Sequence, residues 1–77
     1  MGDFRSMKWR ELQRVLERAP LNYRVERQRG SHRIMVAEGR PKLVIAGHES
    51  GSVPAGLVRK ILVKDVGMSE DEAKGLL

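Results

Sequence analysis

NYRVERQRGSHRIMVAEGRPKLVIA, residues 22–46, carries the sequence's clearest structural signal. Tyr23 and Val25 alternate with Arg24 and Glu26, the two-residue period of a strand with one buried face. Residues 31–37, SHRIMVA, alternate again, with His32, Ile34 and Val36 assigned to the apolar face and Arg33, Met35 and Ala37 to the other. In KLVIA, Leu43 and Ile45 share a side. Arg29-Gly30 supplies the first turn, because Gly30 is free to take a positive φ. The second turn is EGRP, residues 38–41. Three short strands joined by tight turns predict an antiparallel meander.

Upstream, residues 7–19, MKWRELQRVLERA, place Trp9, Leu12, Val15, Leu16 and Ala19 on one helical face, with charged residues on the rest. Trp9 at that spacing is a core anchor rather than a stacking platform. Pro20 ends the helix, since it lacks an N–H and restricts the residue before it. Downstream, GHESGS is a flexible loop by composition. Pro54 suits the first turn of a second helix, which carries Leu57, Val58, Ile61 and Leu62 inward and stops at Gly67. SEDE, residues 69–72, has capping-box spacing for a short last helix. The fold class is therefore α+β, in the order α-β-β-β-α with a short extra C-terminal helix. A three-stranded antiparallel sheet with helices on one face buries both apolar sets and leaves the other face free.

Seventy-seven residues make a single domain, 1–77, which buries only roughly 60% of its unfolded surface. There is no cysteine, so neither a disulfide framework nor a thiolate metal site is available. No apolar run reaches the length of a membrane span and no secretory segment is recognisable, so the expectation is a cytoplasmic protein with no membrane partner. Charge is unevenly placed. Residues 1–42 hold eleven Lys and Arg against five Asp and Glu, whereas residues 43–77 hold four against five. A basic half on a small domain is the footprint of a polyanion binder, although a charged surface also serves solubility alone.

His32 is one of two histidines, and Arg27, Arg29 and Arg33 flank it. RNA cleavage through an internal 2′-hydroxyl needs a base at that hydroxyl and positive charge on the phosphate. Imidazole suits the proton work, since it titrates near neutrality. The opposing interpretation is a rim histidine that simply begins a strand. From its place at the start of the apolar face, His32 is expected to be half-buried yet reachable. His48 lies on the Gly-rich loop, either as an acid partner or as a solvated residue. The two histidines are sixteen residues apart with no clustered acids, so no metal and no cofactor are expected. Ser31 beside His32 is no hydrolase dyad, because adjacent strand side chains point to opposite faces. With Tyr23 as the meander's one aromatic, there is no platform on which bases could stack.

The combination of MKWRELQRVLERA, RQRGSHRIMV, LVIAGHESG and PAGLVRKIL…VGMSEDEA resembles the HicA family of toxin–antitoxin systems over most of the chain, from about Met7 onward. The resemblance implies a double-stranded-RNA-binding-domain-like fold and a metal-independent endoribonuclease that cleaves mRNA. It also implies His32 as the catalytic residue and a HicB-like antitoxin as the protein partner. Arg24, Arg27, Arg29 and Arg33 are the expected RNA-binding residues, with Gly30 and Ser31 forming the turn that supports the site. Relatives begin near MK-x-REL, which makes residues 1–6 a flexible lead and Met7 an alternative start. They often carry a proline and a paired histidine after the third strand, where this chain has Ala46-Gly47-His48; His48 is at most auxiliary. The rival functions are a non-catalytic RNA-binding module and a degenerate toxin that keeps only its binding partner.

Overall fold

The computed structural model describes residues 4–77. In chain order the elements are β1 (Met7–Lys8), α1 (Trp9–Glu17), β2 (Arg24–Arg29), β3 (His32–Val36), β4 (Leu43–Ala46), β5 (Ser52–Val53), α2 (Ala55–Arg59) and α3 (Glu70–Gly75). Between α2 and α3 the chain continues as π-helical turns over Lys60–Asp65. The α+β architecture is the expected one, with β2, β3 and β4 forming an antiparallel sheet in sequence order. Of the expected lead, residues 1–3 lie outside the described residues, and Phe4 packs against the core.

Three local differences separate the elements from their sequence expectations. Met7 and Lys8 are not helical: they pair antiparallel with Val53 and Ser52. The helix therefore begins at Trp9, whose N–H, like that of Arg10, is taken by a loop carbonyl (Gly51 O at 3.0 Å, Glu49 O at 3.3 Å). These bonds satisfy donors that the first turn of a helix leaves free. At its other end α1 stops at Glu17, so Ala19 is exposed rather than part of the buried stripe. The helix after Pro54 widens midway, with Val66 N–H reaching Ile61 O at 2.8 Å, five residues back. Hydrophobic spacing marks the buried face, which α and π winding share, and so could not reveal the change.

The core lies between the sheet and the helices. Leu12 and Leu16 of α1, Met35 of β3, Leu43 and Ile45 of β4, Val58 of α2, and Leu62 meet there with Leu21 and Tyr23. Tyr23 also donates its hydroxyl to Pro41 O at 2.7 Å, tying the start of β2 to the β3–β4 turn. The short last helix is capped as expected. Glu72 N–H donates to Ser69 Oγ at 3.1 Å, and Ser69 N–H donates to Glu72 Oε1 at 3.0 Å.

The faces of β3 are the reverse of their assignment. Arg33, Met35 and Ala37 are buried, while His32 is exposed and Ile34 and Val36 are half-buried. Both alternating sets in SHRIMVA contain apolar residues, so the period alone leaves the phase undetermined. Pairing decides it. Met35 stands opposite Leu43 and Arg33 opposite Ile45, and those partners are committed to the core. A one-residue change of phase moves every side chain to the other face.

Candidate nucleic-acid interface

A β-bulge in β2 builds the open face of the sheet. Val25 pairs with Met35 and belongs to the core side; the register then shifts, and Arg27 pairs with Ile34. Were Glu26 paired regularly instead of bulged, strict alternation would turn Arg27 and Arg29 towards the core with Val25. With the bulge, Arg24, Arg27 and Arg29 stand opposite Val36, Ile34 and His32, all on the solvent side. No feature of the sequence marks the bulge.

The result is a row of three arginines along the edge strand β2, with His32, Ile34 and Val36 on the central strand beside it. His32 occupies the last rung of both ladders, facing Arg29 on one side and Ala46 on the other. An open cleft of about 430 Å³ is lined by Arg27, Gln28, Arg29, His32 and Ile34. His32 is exposed, not half-buried, because it belongs to the solvent face. Its ring is held in the cleft by strand geometry rather than by burial. Val44, next to Ile34 across β3–β4, is 67% exposed and extends the face as an apolar strip.

Gly30 sits at the β2–β3 turn with φ +60°, as expected for a glycine that reverses the chain. Gln28 steadies the turn by donating its side-chain amide to Gly30 O at 3.2 Å. Beyond the turn, Ser31 O accepts the Gly47 N–H at 3.2 Å, which extends the β3–β4 pairing past the strand end.

Arg33 does not join the other arginines. It is 2% exposed on the core side, and its Nη2 donates to Gly47 O at 2.9 Å. Strand phase separates it from Arg29 and His32, although it is adjacent to His32 in sequence. His48 also stands apart: it lines a different groove, with Arg33, Ser31 and Arg10, and not the cleft of His32. Its Nδ1 lies 2.8 Å from Ser50 Oγ and accepts the Ser50 N–H at 3.3 Å. Those bonds hold the ring within its own loop. Among the described residues no group of three or more His, Cys, Asp or Glu is placed to hold a metal ion, and no helix is long and apolar enough to cross a membrane.

A meander packed on one side by helices, with a basic open face and a histidine at its rim, defines a small α+β domain of the double-stranded-RNA-binding-domain-like class. The family model described as the HicA toxin of bacterial toxin-antitoxin matches residues 9–68. The chain belongs to that family, and is thus the toxin member of a toxin–antitoxin pair. No curated protein and no solved structure matches the chain.

Proposed function

We propose that this toxin is a metal-independent endoribonuclease that cleaves mRNA and so arrests translation, with His32 as the catalytic residue. The observation that carries the proposal is the register of β2 on β3, which puts Arg24, Arg27 and Arg29 on the face of His32, with Arg29 directly opposite it. His32 accepts the proton of an RNA 2′-hydroxyl. The 2′-oxygen attacks the adjacent phosphorus, the bond to the 5′-oxygen breaks, and that oxygen takes a proton from water on the open face. The products are a 2′,3′-cyclic phosphate and a 5′-hydroxyl. Arg27 and Arg29 hold the phosphate and offset the charge that grows on its oxygens. His48 is outside the cleft and has no assigned part in this step.

The protein partner is a HicB-like antitoxin that covers the same face. Exposed Val44 and the neighbouring Ile34 and Val36 give it an apolar strip beside the arginines. The face is then either on RNA or under the antitoxin.

The test is cleavage of a long transcript by purified protein in the presence of a chelator. Removing a general base costs about 10²–10⁴-fold in rate. His32→Ala is accordingly expected to lose cleavage and growth inhibition while keeping its circular dichroism spectrum and most of its RNA affinity. A well-folded His32→Ala protein that cuts at the wild-type rate refutes the proposal. RNA binding by the wild type without cleavage would make the domain a binding module instead.

A further inference from the structure

The groove on the far side of the β2–β3 turn contains a guanidinium that is not ion-paired with any carboxylate among the described residues. Arg33 lies on the core side of its strand, opposite Gln28 of β2 and Ile45 of β4, with Met35 fully buried two residues on. One nitrogen bonds Gly47 O, while the buried Nε has no hydrogen-bond partner. No carboxylate among the described residues forms an ion pair with it. A buried cation left unneutralised is expensive, and an apolar side chain of similar volume would pack that position at no such cost. An arginine kept there suits an anion that arrives from outside.

The surroundings fit such an anion. Arg33 forms part of the wall of a groove of about 520 Å³, with Arg10 at the start of α1, Gln28 and Ser31 by the turn, and His48 and Glu49 on the β4–β5 loop. Two arginines and a histidine face a single carboxylate, Glu49. Gln28 also lines the cleft of His32, so the two cavities share a wall residue beside the Gly30-Ser31 turn. An anion with regularly spaced charges can occupy both cavities at once; an isolated carboxylate can occupy only one.

We propose that the Arg33 groove is a second phosphate subsite, in which Arg33 and Arg10 hold a phosphate of the same RNA strand whose scissile phosphate lies at His32. This rests on the RNA reading above and adds the path of the strand: over the turn, from the open face to the α1 side. Arg33 is then a positioning residue for a remote phosphate and not a member of the cleavage cleft. The groove also has an internal reporter. Trp9 is the chain's one tryptophan, and its ring packs so closely on Gly47 that a Cβ on that glycine would lie 2.1 Å from the indole nitrogen.

The experiment uses the full chain and a short, fully 2′-O-methylated oligoribonucleotide, which cannot be cut through a 2′-hydroxyl. Affinity is followed by anisotropy and the groove by Trp9 fluorescence, for wild type, Arg33→Met and Arg10→Gln. The wild type is expected to bind with a change in Trp9 emission. Arg33→Met is expected to melt no lower than wild type, to bind about tenfold more weakly with a salt slope reduced by about 0.7, and to lose the Trp9 response. Arg10→Gln, on an exposed position, should weaken binding in the same direction; it carries the test if Arg33→Met does not fold. Affinities and Trp9 responses equal to wild type in the folded variants overturn the second subsite and leave the His32 proposal standing. A Trp9 response to a poly-glutamate peptide but not to the oligonucleotide also overturns it, assigning the groove to a protein carboxylate. A wild type that does not bind the oligonucleotide at all defeats the RNA reading itself.

Discussion

At the scale of single residues, two glycines test different physical causes. Gly47 lacks a Cβ because Trp9 occupies that space. Gly47→Ala forces the β4–β5 loop and the indole apart, which costs about 1–3 kcal/mol as overpacking. Chemical denaturation is expected to show the loss together with a change in Trp9 emission, and an unaltered midpoint would disprove the close approach. Gly30 is the reverse case. Nothing lies within 4 Å of a Cβ there, but φ is +60°. Gly30→Val should cost about 1–2 kcal/mol through backbone strain alone, and Gly30→Asn distinctly less, since asparagine tolerates the left-handed region. Equal melting temperatures for the two variants would mean that conformation is not the cause.

Among the elements, α3 offers a pH-dependent contact. The Ser69 backbone N–H and then its hydroxyl hold the Glu72 carboxyl below the usual glutamate range. A carboxyl whose folded pKa is depressed adds stability above its unfolded pKa, and that contribution fades as pH falls through the folded one. Thermal melts of wild type and Glu72→Gln should therefore differ most near neutrality and converge on acidification. A gap that widens in acid has the wrong sign for this cap. Glu72 is fully exposed, so the difference is expected to be modest. The element with the largest functional consequence is β2. Its one-residue bulge turns Arg27 and Arg29 outward and so converts a strand of mixed residues into one side of a cationic cleft.

For the whole molecule, the uneven charge acquires a location. The basic N-terminal half supplies the edge strand of the open face and the exposed side of α1, and these flank the two ends of the β2–β3 turn. Neutralised RNA phosphates release counterions, so binding should weaken steeply with salt. For a single strand the slope changes by roughly 0.7 per phosphate contact. The double variant Arg27→Ala with Arg29→Ala should flatten the log–log dependence by about 1.4 and weaken binding to all RNA sequences alike. An unchanged slope would locate the contacts away from the cleft.

Local chemistry alone determined the order of the main helices and the three meander strands, the turn at Gly30 and the cap at Ser69. Periodicity, glycine freedom and capping all act within a few residues, so they are legible along the chain. The motif around His32, taken together with the stretches before and after it, likewise carries the resemblance to the family whose model matches residues 9–68. Which face His32 occupies was decided only by tertiary structure. SHRIMVA has apolar residues in both phases, and only pairing with Leu43 and Ile45 selects one. The same pairing exposed His32, buried Arg33 and placed two neighbouring residues in different cavities. The bulge at Glu26, the β1–β5 pair and the π-helical turns were equally hidden from the sequence. Each is a choice of hydrogen-bond register between or within segments, and register depends on what the partner segment buries.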